Sequence, residues 1–171
     1  MIEVGAGHGL NFAYYPPEVS EVLAIEPEPH LRELARRAEE EADVRIEVVA
    51  GSAEALPGGD GEFDAAVASL VLCSVPDQEV ALREIHRVLR AGGELRFYEH
   101  VVARKPGMAL VQRILDATIY PPLAGGCHCA RDTGAAIERA GFAFERHERI
   151  AFQPSSLAPA IPHILGVARR A

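Results

Sequence analysis

The chain first offers chemistry at Glu3-Val4-Gly5-Ala6-Gly7-His8-Gly9. Glycines at alternate positions let the backbone turn sharply and pass close to a ligand, because no Cβ stands in the way. A strand-like run, Ile2 to Val4, precedes the loop and a short helical segment follows it. Unpaired N–H groups at such a helix start suit a carboxylate or a phosphate. A plain Gly-rich turn has the same composition, so the loop needs a second feature beside it. Glu26 supplies one: it closes the next strand-like run roughly 20 residues on, where an acidic side chain can accept both ribose hydroxyls. Loop and acid together describe an adenosine-type site, although Glu26-Pro27-Glu28 also suits a solvated turn. The small residues from Ala50 through Gly51, Ser52 and Ala53 to Pro57 could wrap the base with backbone groups.

The sulfur-bearing residues are less telling. Cys127-His128-Cys129 carries zinc-ligand side chains but lacks a fourth ligand and the usual C-x-x-C bite, which favours a structural or pocket-lining role. Cys73, within Leu72-Cys73-Ser74, reads as a buried small hydrophobe. Tyr14, Tyr15 and Tyr120 suit an apolar pocket or simple packing.

These residues must be positioned by regular elements, and apolar β-type runs alternate with helical patterns along the chain. That alternation predicts an α/β fold with a mainly parallel sheet. The expected strands are Ile2 to Val4, Val22 to Ile25, Val44 to Val49, Phe63 to Ala68, Glu94 to Glu99, Phe142 to Phe152 and Ile161 to Val167. Leu31, Leu34, Ala35 and Ala38 fall on one face of a surface helix. A second helix, Asp77 to Arg90, should bury Val80, Ile85, Val88 and Leu89, start near Pro76 and end at Gly92-Gly93. A third, Met108 to Tyr120, should be stopped by Pro121-Pro122 and lie over the active face. A last helix, Asp132 to Ala140, precedes two β-type runs joined by the Pro-containing stretch Gln153 to Pro159.

A length of 171 residues suits one domain spanning 1–171, large enough to bury a core without staples. Neither a secretory signal nor an apolar run of about 20 residues is visible, so a cytoplasmic address and no membrane partner are expected. Three cysteines at spacings that match no disulfide framework fit free thiols in a reducing compartment. A net charge of −8 without a Lys/Arg cluster argues against nucleic acid as a partner.

The Gly loop, Glu26, Gly51 to Pro57, Phe63-Asp64 and Arg87-Val88-Leu89-Arg90-Ala91-Gly92-Gly93 resemble the successive motifs of class I S-adenosylmethionine methyltransferases in order and spacing. Asn11-Phe12 with Tyr15-Pro16-Pro17, Leu70 to Val75, Glu99-His100-Val101, Gly126-Cys127 and Pro162-His163-Ile164 are similar to the methyltransferase-like thiol methyltransferases. The resemblance covers essentially the whole chain. It implies a doubly wound, Rossmann-like sheet of seven strands with the last one antiparallel, and S-adenosyl-L-methionine lying across the carboxyl ends of the first strands. Glu3, Gly5, Ala6, Gly7, Gly9 and Asn11 would then border the methionine part, with Ser69 and Leu70 at its end. Glu26 and Pro27 would meet the ribose, and Gly51, Ser52 and Ala53 the adenine. The family's usual acid is absent at Ser52, which puts one hydrogen bond to the adenine amine in doubt.

Methyl transfer from a sulfonium is an in-line displacement, so the protein aligns donor and acceptor and keeps water out, with no metal required. The resemblance favours a small-molecule thiol as acceptor. Its reactive form is the thiolate, which a base would help to generate. His100, ending the fifth strand, is the first candidate for that base and His163 the second; both also suit structural roles. The cofactor motifs do not encode the acceptor, so O-, N- or C-methylation of a small apolar metabolite stays open, as does a shortened cofactor-binding subunit without activity. The resemblance also implies an N-terminal helical segment ahead of the first strand, carrying an apolar anchor in animal relatives, whereas this sequence starts within that strand. A two-fold homodimer using the helix from Met108 to Tyr120, or that helix folding back as a lid, would be the expected replacement for its cover.

Overall fold

The computed structural model describes residues 1–153 and 160–171. Strands β1 (Ile2–Val4), β2 (Glu21–Ile25), β3 (Arg45–Val49), β4 (Phe63–Ser69), β5 (Leu89–His100), β6 (Phe142–Phe152) and β7 (Ile161–Arg170) form one sheet. Its seven strands lie in the order β3-β2-β1-β4-β5-β7-β6. Neighbours from β3 through β5 run parallel, and β7 runs antiparallel to both β5 and β6. This is the doubly wound, mainly parallel sheet that the alternation and the resemblance imply. Of the Pro-containing stretch Gln153 to Pro159, residues 154–159 lie outside the described residues.

Helix α1 (Pro29–Glu39) starts where Glu28 accepts the Leu31 N–H at 2.6 Å and Pro29 leaves no N–H unpaired. It packs Ala35 and Ala38 against Val22, Ala24, Ile46 and Val48 on one face of the sheet. Helix α2 (Gln78–Val88) is capped by Asp77, whose carboxylate accepts the Glu79 and Val80 N–H groups at 2.9 and 3.0 Å. Its Ala81, Leu82, Ile85 and Val88 bury against Ile2, Val4, Leu95 and Phe97 on the opposite face, and α5 (Thr133–Arg139) adds Ala136 and Ile137 there. Strand order reverses between β1 and β4, and in open α/β sheets ligands bind in the crevice beyond such a reversal.

Three expectations about helix ends need correcting. Helix α2 stops at Val88 rather than Arg90, because Leu89 already has extended backbone (φ −75°, ψ 138°), is buried in the core and pairs with Phe63 of β4. Gly92-Gly93 therefore belongs to β5. A Cβ on Gly93 would stand 2.9 Å from the Arg90 carbonyl oxygen and 3.1 Å from that of Asp64, so this glycine serves close strand approach. Pro76 precedes the Asp77 cap instead of occupying the first turn, since the carboxylate satisfies two N–H groups there. The stretch Met108 to Tyr120 divides into α3 (Pro106–Asp116) and α4 (Tyr120–Leu123), with Pro121 and Pro122 beginning α4 rather than ending a helix.

Gln112 anchors α3: its side-chain oxygen accepts the Ala103 N–H at 2.6 Å and its amide donates to the Cys129 carbonyl at 2.9 Å. Leu110, Val111 and Ile114 on the same helix stay exposed. A groove of about 690 Å3 remains across β4, β5, β7 and β6 on the face opposite α2, lined by Val67, Tyr98, Leu165 and Val167, and no residue of α3 lines it. The helix therefore does not serve as a lid over that part of its own sheet. No helix among the described residues is long and apolar enough to cross a membrane.

Candidate functional site

The Gly loop leaves β1 with Gly5, Gly7 and Gly9 all in the left-handed region, at φ 67°, 59° and 83°. That conformation is natural only for glycine. The three positions nevertheless do different work. A Cβ on Gly5 would stand 2.5 Å from Val71 Cγ2, and one on Gly9 would stand 2.7 Å from the Ala38 Cβ, so both permit packing. A Cβ on Gly7 would meet nothing within 4 Å and would project into open space. Gly7 is thus the position where a ligand can lie against bare backbone.

Glu26, 5% exposed at the end of β2, sits behind that position. Its Oε2 accepts the Gly7 N–H at 2.8 Å and its Oε1 accepts the Glu28 N–H at 2.9 Å. Each carboxylate oxygen keeps a further lone pair for a donor such as a ribose hydroxyl. Pro27 lies just beyond, with Arg32 donating to the carbonyls of Glu26 at 2.8 Å and Pro27 at 3.0 Å. Ala6 is buried, and its N–H donates to the Ile25 carbonyl at 2.9 Å, which fixes the loop to β2.

Glu3 occupies the middle of β1, 1% exposed, and its carboxylate accepts from Asn11 Nδ2 at 2.8 Å and from the Tyr15 hydroxyl at 2.6 Å. Burial pushes the Glu3 carboxyl above its ordinary range, and the two donors pull it back. Glu3 therefore ties the segment after the loop down onto the sheet. Near the end of β3, Gly51 packs tightly on Ile25, with a built Cβ 2.7 Å from Cγ2. Ser52 donates to Glu54 Oε2 at 2.9 Å, and Ala53 is buried in the core. An acid thus stands two residues after Ser52, although Glu54 also accepts the Asp77 N–H at 2.9 Å.

Ser69 ends β4, and Leu70 follows at φ 58°, the one left-handed residue other than glycine among the described residues. Holding a leucine there costs about 1 to 2 kcal/mol, so its surroundings must enforce it. They do so through Glu99, which is fully buried. One carboxylate oxygen accepts the N–H groups of Val71 at 3.0 Å and Leu72 at 2.9 Å, and the other accepts that of Cys73 at 3.0 Å. Burial drives the Glu99 carboxyl well above its usual range, opposed by these backbone donors. The Leu70 N–H donates to the Tyr98 carbonyl at 2.7 Å. The turn beyond β4 is therefore held open by its neighbour β5.

His100 and His163 are directly paired across β5 and β7, and their rings stack with centroids 4.9 Å apart. Tyr98 stacks on the other side of His163, also at 4.9 Å, and Tyr120 meets His100 edge-on at 5.9 Å. Both imidazoles are pushed below the ordinary histidine range, mainly by burial. His163 Nδ1 lies 3.0 Å from the Ile161 carbonyl, which only accepts, so that nitrogen carries the proton of the neutral ring. His100 Nδ1 lies 3.4 Å from Cys127 Sγ. These histidines stand two and three strands from the Gly loop, beyond Ser69 and Leu70, so the chain has a loop-and-acid end and an imidazole end. Glu99 and Cys127 both fall in the resemblance motifs, but the three backbone bonds of Glu99 and the His100 contact of Cys127 are what sequence reasoning missed. Alternation could have found Glu99, since it shares the parity of buried Leu95 and Phe97.

The methionine tail and adenosine of the cofactor fit this arrangement, because the space over Gly7 is one a Cβ would fill and Glu26 lies behind it with acceptors to spare. The comparisons agree. A family model described as a methyltransferase domain matches residues 2–97. The thiol S-methyltransferase TMT1A of Homo sapiens is 38% identical over 172 residues, an alignment covering 98% of this chain and 69% of that protein. TMT1B of Rattus norvegicus, another thiol S-methyltransferase, is 35% identical over 174 residues with the same two coverages, 98% and 69%. Among solved structures, an S-adenosylmethionine-dependent methyltransferase of Methanosarcina mazei shares the fold at a TM-score of 0.74 and 20% identity, covering 99% of this chain and 91% of that one.

Proposed function

The chain belongs to the S-adenosylmethionine-dependent methyltransferases, and on that premise we propose that it methylates the sulfur of a small-molecule thiol. The bound cofactor supplies an electrophilic methyl group on a sulfonium. The chain's own contribution is placement and proton handling. In this reading Gly7 gives the methionine tail bare backbone to lie on, Glu26 receives the ribose hydroxyls, and Ser69 and Leu70 border the methionine end. Ser52 and Ala53 border the adenine.

The observation that carries the thiol reading is that His100 Nδ1 already engages a sulfur, that of Cys127, at 3.4 Å. A buried imidazole whose proton affinity is lowered by desolvation can accept a thiol proton, and the resulting thiolate is the nucleophile that the displacement needs. An incoming acceptor thiol would compete with Cys127 for that nitrogen. His163 supports the ring by stacking and gains its own orientation from the Ile161 carbonyl. The identity to two thiol S-methyltransferases over nearly the whole chain supports the same acceptor class.

An acceptor screen with mass detection tests this reading. Alkyl thiols, phenols and amines are offered with S-adenosylmethionine, and the S-methyl product is the expected outcome. Methylation confined to oxygen, nitrogen or carbon would replace the thiol reading. Tight binding of S-adenosylhomocysteine without turnover on any class would identify a cofactor-binding subunit. His100→Asn should lower the rate at neutral pH by roughly 100-fold, the lower end of what a positioned base contributes.

A further inference from the structure

Methyl transfer leaves unused a dithiol at the imidazole end of the site. Cys127 is half-buried and its sulfur lies 3.4 Å from His100 Nδ1. Cys73, 1% exposed, lies behind it with its sulfur 3.6 Å from Ser74 Oγ. The two backbones are fastened side by side, because the His128 N–H donates to the Cys73 carbonyl at 2.7 Å. On these adjoining backbones the Cys73 side chain draws the Cys127 thiol below its usual range, and Cys127 with burial pushes Cys73 above its own. Cys129 differs, for it is buried, bonded to the Gln112 carbonyl at 3.6 Å and pushed up to about 11 by burial.

We infer that Cys127 and Cys73 form an exchanging dithiol that reduces low-molecular-weight disulfides at the mouth of the methyl-transfer site. The division of labour follows from exposure and partners. Cys127 is reachable and has His100 to take its proton, which are the properties of an attacking thiol. Cys73 is sheltered and adjacent, which are the properties of a resolving one.

The step balances without any further reagent. The Cys127 thiol gives its proton to His100 Nδ1, and its sulfur attacks one sulfur of the disulfide RSSR. A bond forms between Cys127 and that sulfur, the S–S bond of RSSR breaks, and the departing RS− recovers the proton from His100. Cys73 then attacks the Cys127 sulfur of the mixed disulfide, and the second RS− leaves with the Cys73 proton. Two cysteine thiols are oxidised by two electrons, and RSSR is reduced to two RSH. If the acceptor is a thiol, the exchange releases the same chemical class that the site methylates. The exchange itself does not rest on that reading.

The test uses the whole chain, fully reduced and without methyl donor, exposed to excess 2-hydroxyethyl disulfide, quenched by alkylation and digested for mass spectrometry. The expected result is a peptide pair linked through Cys73 and Cys127, two equivalents of 2-mercaptoethanol released, and Cys129 recovered alkylated. Cys73→Ser should trap a mixed disulfide on Cys127 and release one equivalent. Cys73 and Cys127 both recovered alkylated would overturn the proposal, as would a link from Cys127 to Cys129. So would a wild-type protein that stops at the mixed disulfide. With no methyl donor present, a negative result leaves the thiol-acceptor reading standing, and an O- or N-methyl product in the acceptor screen leaves this one standing.

Discussion

Glu26 Oε2 accepts the Gly7 N–H at 2.8 Å, so the acid proposed to receive the ribose also pins the glycine proposed to carry the methionine tail. One side chain thus shapes both halves of the proposed cofactor cradle. Glu26→Ala should weaken S-adenosylhomocysteine binding by roughly 1 to 3 kcal/mol, or about 5- to 150-fold in Kd, as charge-assisted bonds are lost. Isothermal calorimetry measures it, and an unchanged affinity would mean that the ribose is held elsewhere.

The Gly loop makes two separable predictions at two glycines. Gly7→Val places its side chain in open space, so the domain should fold, with a backbone penalty of about 1 to 2 kcal/mol, and lose cofactor binding. Gly5→Ala instead drives a Cβ to 2.5 Å from Val71 and should lower the melting temperature first. Thermal denaturation and calorimetry on both variants separate the effects. Normal binding by Gly7→Val would show that the loop does not cradle the cofactor.

Glu99→Ala removes the acceptor for three backbone N–H groups in the turn that carries Leu70. Leaving buried donors unpaired costs about 1 to 3 kcal/mol each, partly offset because a desolvated carboxyl also disappears. A net loss of roughly 3 kcal/mol is expected by urea unfolding. A stability within about 0.5 kcal/mol of wild type would show that the turn relaxes or hydrates.

Where the sequence patterns were strong, the fold was legible. Val22, Ala24, Ile46 and Val48 alternate as half-buried strands, and the strand–loop–Glu26 spacing anticipates that Glu26 meets the Gly loop, where it binds the Gly7 N–H. The misreadings sit where local signals compete with packing. Gly92-Gly93 has the look of a helix stop, but burial of Leu89 pulls the chain into β5 early. Pro121-Pro122 reads equally as an end or a start, and contacts distant in sequence decide. The Cys127–His100 contact joins residues 27 apart through a loop with no periodicity, so spacing carried no trace of it. Residue type gives no sign that Glu99 is buried, because a carboxylate buried by backbone donors looks like an exposed one, and only its shared parity with Leu95 and Phe97 marks it.

The stacked histidines predict an acid-labile structure and give the sign of its pH dependence. Burial holds both His100 and His163 below the histidine range, so the unfolded chain takes up these protons more readily than the folded one. Their contribution to stability is therefore complete above the unfolded value of about 6.5 and is lost as pH falls through the folded values. Asp116 works against the shift at His100 and the Ile161 carbonyl against that at His163, while each added charge would face another ring 4.9 Å away. Melting temperatures measured from about pH 7.5 to 5 should fall, and methyl transfer should decline in the same window as His100 loses its capacity to accept a proton. His163→Gln retains an amide that can donate to the Ile161 carbonyl but cannot titrate, so its melting temperature should depend less on pH across that window. Parallel curves for variant and wild type would assign the acid sensitivity to the carboxylates instead.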